Sequence, residues 1–222
     1  MPQPRPTAAQ PLRVGVFGGA FDPPHLAHRA LAEAALHQLQ LDVLHLLPTG
    51  CAWHKSRVLT PAPHRLALCH LAFDDLPGVC VDARELHRSG PSYTADTLQE
   101  LADEYRQRSA SSPANHPATQ FFLVLGADQF RAFKTWQRWP HILEQATLAV
   151  AERLDAGDPP LPEPSEATLP FVRLHMPLSP VSATAVRAHL ENPATANATL
   201  TATLAPAVAG YISQHHLYQP TS

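Results

Sequence analysis

The chain has 222 residues and a formal net charge of -3, with 45% of its residues hydrophobic and 16% charged. That length suits one domain with a substantial core, and the balance excludes disorder along the whole chain. No run of lysine or arginine stands out, so a grip on a nucleic acid polymer is not expected and any nucleotide it binds should be small. Cys51, Cys69 and Cys80 form an odd set without CxxC spacing, which argues against a disulfide framework or a structural zinc and fits a cytoplasmic protein. Residues 1–11, MPQPRPTAAQP, place prolines where an export signal needs an unbroken apolar run and read as a flexible leader. No later stretch is long and apolar enough to predict a membrane span.

Leu12 to Phe17 is a β-rich run entering Gly18 and Gly19, which predicts a buried strand followed by a tight turn. A helix is expected from about His25 to Leu39, a second strand over Val43 to Pro48, a helix over Pro63 to Phe73 and a short strand over Val79 to Ala83. Thr94 to Gln107 reads as a helix with Thr94 as its cap and Leu98, Leu101 and Tyr105 on one face. Ser109 to Thr119 is small, polar and proline-broken, hence a loop. Phe121 to Leu125 is the clearest strand and runs into Gly126, Ala127 and Asp128. Further strands are expected over Leu148 to Ala151 and Phe171 to Leu174, separated by the proline- and acid-rich loop Asp155 to Pro170. A helix begins near Ser182, Asn192 to Thr203 is a linker, and Ala205 to Tyr218 is amphipathic. Strands alternating with helices predict an α/β fold, a doubly wound parallel sheet of Rossmann-like type. Residues 12–222 read as a single domain with a helical C-terminal subregion from about residue 182.

The richest string is GGAFDPPHLAH, Gly18 to His28. Two glycines after a strand let the backbone turn and approach a phosphate, and the following helix points its first amides at that phosphate. Pro23 and Pro24 fix the helix entry, and His25 and His28, three apart, would share one helical face. Two imidazoles converging on an α-phosphate can stabilise charge as it shifts to a leaving pyrophosphate. Asp22 reads equally as a helix cap or as part of that site. The string is neither a GxGxxG dinucleotide fingerprint nor a GxxxxGK[ST] phosphate loop.

These residues resemble the HxGH-type nucleotidyltransferase superfamily and, within it, the nicotinate-nucleotide adenylyltransferase family, over almost the whole chain. The family usually shows GGTFDPxHxGH, so Ala20 and Ala27 stand for a threonine and a glycine. Trp53-His54-Lys55 matches its PHK, with tryptophan for proline, and implies Lys55 at the phosphates. Arg65 fits a position that supports the fold. RSGPSYTADTL, Arg88 to Leu98, is the most specific match and implies that Ser92, Tyr93 and Thr94 hold the acceptor's nicotinate ring and carboxylate. LGADQF followed by KTWQRW implies Gly126 and Asp128 at nucleotide sugar or metal and Trp136 stacked on the pyridine, with Trp139 left to packing. SPVSATAVR, Ser179 to Arg187, stands where the family has ISSTxIR; Ser182, Thr184 and Arg187 then clamp the β- and γ-phosphates.

The resemblance implies transfer of AMP from ATP to nicotinate mononucleotide, giving deamido-NAD and pyrophosphate. His25, His28, Lys55 and Arg187 would be catalytic, Gly18, Gly19, Phe21, Asp22, Gly126, Asp128, Ser182 and Thr184 would bind ATP, and Mg²⁺ would accompany the triphosphate, with no dedicated metal site. Other readings stay open at this point: another acceptor such as nicotinamide mononucleotide, phosphopantetheine or a sugar phosphate, or a nucleotide-binding regulator without catalysis. A metal hydrolase built on Asp22, His25 and His28 lacks the HExxH spacing. The oligomeric state, including a homo-oligomer, is not fixed by the sequence.

Overall fold

The computed structural model describes residues 11–50, 58–111, 118–152, 160–165, 167–177, 181–192, 200 and 202–219. Six strands form one sheet: β1 (Leu12–Gly19), β2 (Val43–Pro48), β3 (Val79–Val81), β4 (Thr119–Gly126), β5 (Ala146–Ala151) and β6 (Phe171–Leu174). Their order is β3-β2-β1-β4-β5-β6 and every pairing is parallel. The expected doubly wound sheet is therefore present, and the order reverses between β1 and β4, where such sheets open a crevice beyond their carboxyl ends.

Helices cover both faces, and strand alternation decides which side chains meet them. On one face Phe17, Phe122, Val124 and Ala149 pack with α1 (Leu26–Gln38), α2 (Ala62–Phe73), α7 (Ala183–Leu190) and α8 (Pro206–Gln214). On the other, Val14, Val16, Leu123, Leu125, Leu148 and Val150 pack with α4 (Thr94–Ser111), α5 (Ala127–Ala132) and α6 (Trp139–Gln145). Leu98, Leu101 and Tyr105 form the expected buried face of α4. Burying two large apolar faces accounts for the near-continuous hydrophobic runs of β1, β4 and β5.

Several local expectations are corrected. Gly18 and Gly19 belong to the extended end of β1, and the left-handed residue of the turn is Phe21, at φ 45°. Helix α4 starts at Thr94, but its first amides, those of Asp96 and Thr97, donate to the Tyr93 carbonyl, so Tyr93 occupies the cap position. It also runs on to Ser111, into the stretch read as a loop. Helices α3 (Arg84–His87), α5 and α6 follow strands or turns and are too short for a helical periodicity to show. Within the proline-rich connection, Leu161 and Leu169 are buried, and the Glu152 carboxylate accepts the Leu161 N–H at 2.7 Å and Arg173 Nη1 at 3.0 Å. No helix among the described residues is long and apolar enough to cross a membrane.

Candidate active site

A cleft of about 870 Å³ opens at the point where the strand order reverses. Its floor is the end of β1 and the turn after it, with Gly18, Gly19, Phe21, Asp22, His25 and His28. Ser92, Tyr93 and Thr94 form one wall, Gly126, Asp128 and Trp136 a second, and Ser182, Thr184 and Arg187 a third. All of these were singled out from sequence, and they come from four remote segments. Lys55, with Trp53 and His54, lies outside the described residues.

The floor uses its glycines for room. A Cβ on Gly18 would meet no protein atom within 4 Å, whereas one on Gly19 would press on the Phe21 ring at 3.0 Å. That ring is buried against Phe17, Phe73 and His28, which anchors a left-handed backbone that costs a non-glycine residue about 1 kcal/mol.

His25 is not on the first helical turn as expected. It is the N-cap of α1, extended at φ -140° and ψ 172°, which also removes Asp22 from the capping role. The two histidines still meet, with rings stacked 3.7 Å apart at 22°. The His25 N–H donates to His28 Nδ1 at 3.2 Å. An Nδ1 that accepts carries no proton, so the His28 ring proton is placed on Nε2.

Asp22 is 1% exposed, and its carboxylate accepts the Thr60 N–H at 3.2 Å and the Tyr218 hydroxyl at 2.7 Å. Its carbonyl accepts Arg187 Nη1 at 2.6 Å, while Arg187 Nη2 donates to Thr184 Oγ1 at 3.2 Å. Buried Arg65 donates to the carbonyls of Thr60 and Ala20, the fold-supporting place the resemblance implied. Ser182 caps α7, its hydroxyl accepting the Ala185 N–H at 3.1 Å, so the first turn of α7 faces the cleft with oriented amides and a guanidinium.

The wall at the start of α4 holds two groups that sequence reading ranked differently. Ser92 is buried, and its hydroxyl has no hydrogen-bond partner among the described residues. Glu85, which no motif reading singled out, also lines the cleft; its carboxylate accepts the Thr97 hydroxyl at 2.8 Å. Burial pushes the Glu85 carboxyl up from its ordinary range, against the opposing pull of the Thr97 hydrogen bond and the Arg88 charge. Gly50 passes so close that a Cβ there would lie 2.0 Å from the Glu85 carbonyl oxygen and 3.0 Å from Ser92 Oγ. On the opposite wall Trp136 is half-buried, leaning on Phe133 with ring centroids 5.5 Å apart. Arg138 reaches across to Asp96 in the first turn of α4, tying the two walls together. Trp139 packs on Phe133, as expected.

No cluster of three metal-ligating side chains occurs among the described residues. Asp128 is exposed at the carboxyl end of β4 and lines the cleft. Its carboxylate accepts the Gln129 side-chain amide at 3.2 Å, and one exposed carboxylate fits a Mg²⁺ that arrives with its phosphates better than a protein-caged ion.

A six-stranded parallel sheet of this order with a cleft at its switch point defines a doubly wound, Rossmann-like α/β protein. The model of the family described as cytidylyltransferase-like matches residues 16–189. The probable nicotinate-nucleotide adenylyltransferase of Albidiferax ferrireducens is 49% identical over 209 residues, covering 93% of this chain and 98% of the relative. That of Methylibium petroleiphilum is 40% identical, covering 94% and 93%. Among solved structures, Plasmodium falciparum nicotinic acid mononucleotide adenylyltransferase superposes with a TM-score of 0.71 at 18% identity, covering 93% of this chain and 97% of that one, a likeness of fold. The chain belongs to the nicotinate-nucleotide adenylyltransferase family, within the cytidylyltransferase-like nucleotidyltransferases.

Proposed function

We propose that the cleft transfers AMP from ATP to nicotinate mononucleotide, releasing pyrophosphate and deamido-NAD, as a step of NAD biosynthesis carried by one domain over residues 12–222. An oxygen of the acceptor's 5′-phosphate attacks the α-phosphorus in line, a new P–O bond forms, and the bond to the β-phosphate oxygen breaks. No side chain becomes covalently attached. Catalysis then consists of positioning and of stabilising charge that moves onto the leaving pyrophosphate.

The places of the described groups support the following roles, and the resemblance of Trp53-His54-Lys55 to the family's PHK supports that of Lys55. Gly18 and Gly19 give backbone access to the triphosphate, above a base formed by Phe21 and Asp22. His25 and His28, stacked at the floor, face the α-phosphate and donate to its oxygens. Arg187 and Lys55 hold the departing pyrophosphate, with the Ser182 and Thr184 turn beneath it. Gly126 and Asp128 take the nucleotide sugar. Asp128 would also be the residue to hold a Mg²⁺ arriving with ATP, which would supply charge neutralisation on the triphosphate. Ser92, Tyr93, Thr94 and the face of Trp136 hold the nicotinate end of the acceptor.

The observation that carries the acceptor assignment is Ser92, a buried hydroxyl without a partner among the described residues, just ahead of a helix in a cleft also lined by Trp136. Such a hydroxyl can pair with a hydrogen-bonding group that a ligand brings into the cleft, and a carboxylate is a strong acceptor for it. The test is a panel of phosphorylated acceptors, nicotinate and nicotinamide mononucleotides and phosphopantetheine, each mixed with ATP and read by pyrophosphate release. Nicotinate mononucleotide should be used with the highest kcat/KM, and preference for either of the others would overturn the acceptor assignment.

A further inference from the structure

Asp22 is the meeting point of segments remote in sequence: the β1 turn, the lead into α2 through Thr60, the first turns of α7 through Arg187, and the C-terminal tail through Tyr218. Its carboxylate is 1% exposed, and a buried charge persists only where donors compensate its lost hydration. The Tyr218 hydroxyl donates to that carboxylate at 2.7 Å, on Oδ1, against 3.2 Å from the Thr60 N–H to Oδ2. Burial, and next to it the Asp22 charge, push the Tyr218 hydroxyl up from its ordinary range, so the phenol keeps the proton it donates.

The tail bends sharply to make this contact. Beyond α8, His216 and Tyr218 both adopt left-handed backbone, at φ 51° and 63°, and the Leu217 N–H turns back to the Ile212 carbonyl at 3.1 Å. A left-handed backbone strains a non-glycine residue, and strain of this kind persists where neighbouring contacts determine it. The contact that Tyr218 gains is made three residues before His25 and on the same residue whose carbonyl holds Arg187.

We propose that Tyr218 is a positioning residue for adenylyl transfer: through the Asp22 carboxylate, its hydroxyl fixes the turn that sets His25, His28 and Arg187 on one side of the cleft. This inference rests on the adenylyl-transfer reading above. Tyr218 is not among the residues that line the cleft, so its effect falls on the geometry reached in the transition state and spares the acceptor wall on α4. A small misplacement of transition-state groups is costly, and the hydrogen bond is to a charged group; loss of the hydroxyl should therefore lower kcat by about tenfold.

The experiment compares the unsubstituted chain with Tyr218→Phe, Asp22→Asn and the double variant. Tyr218→Phe should lose about tenfold in kcat with the KM for nicotinate mononucleotide within about twofold, and adding it to Asp22→Asn should cost less than about twofold more. Hydrogen exchange should show protection falling in residues 20–28 of Tyr218→Phe and staying the same in α4. A kcat within twofold of the unsubstituted chain, or a loss confined to KM, would overturn the inference. If either single variant does not fold, the other reports on the same bond. Unchanged exchange in residues 20–28 overturns the positioning role whichever reaction the cleft performs, whereas an unsubstituted chain that releases no pyrophosphate counts against the reaction.

Discussion

Replacing His28 by Ala separates catalysis from binding and from folding. The His28 ring holds the His25 N–H on Nδ1 at 3.2 Å, which leaves the Nε2 proton for the cleft. Truncation therefore removes one donor aimed at the reacting phosphate, and a donor of this kind is worth about 10²–10³ in turnover. ATP is also held by the strand ends and by α7, so its KM should move by no more than about threefold. The same change strips an edge-on contact with Phe21 at 5.1 Å and the acceptor at the α1 N-cap, together about 1–2 kcal/mol of stability. His28→Asn offers a shorter acceptor to that N–H and should regain part of the stability without the turnover. Steady-state pyrophosphate release alongside thermal melting distinguishes these effects. A kcat for His28→Ala within about threefold of the unsubstituted chain would refute the electrostatic role of the histidine pair.

Two further outcomes follow from the walls of the cleft and a third from the support beneath it. Ser92→Ala should raise the KM for nicotinate mononucleotide by about fivefold to tenfold, leave that for ATP alone and leave the melting temperature unchanged, because the hydroxyl bonds nothing among the described residues. Burial raises the Glu85 carboxyl pKa above its unfolded value, so the folded chain binds more protons across that interval and stability falls as pH rises through it; Glu85→Gln should flatten this slope in melting curves from about pH 4 to pH 8. Arg65→Met should cost about 2–4 kcal/mol, seen in denaturant unfolding, since it leaves the Thr60 and Ala20 carbonyls without their buried donor.

The strands and long helices were legible because burial on two faces writes apolar runs and because α4 repeats its core residues at helical spacing. The cleft's lining was legible through strings that resemble a family, although the sequence does not contain the geometry of each string. His25 and His28 look like helical neighbours at a spacing of three, yet one ends an extended turn and the other begins the ladder, and only the stacked rings show that they cooperate. Gly18 and Gly19 look like turn formers, but the turn is made at Phe21, and Gly18 leaves open space beside the cleft. Glu85 carries no local signal, because a lone glutamate ahead of a motif is ordinarily solvated; Gly50 closes on its carbonyl and Thr97 bonds its carboxylate, both from other elements. The bond between Tyr218 and Asp22 spans nearly the whole chain, a separation at which no local pattern operates.

The most direct measurement is product analysis of the unsubstituted chain incubated with ATP, Mg²⁺ and nicotinate mononucleotide. Direct adenylyl transfer predicts deamido-NAD and pyrophosphate in equal amounts, with no AMP released and no adenylyl group left on the protein. Free AMP with pyrophosphate, or no reaction under conditions where the chain is folded, would contradict it.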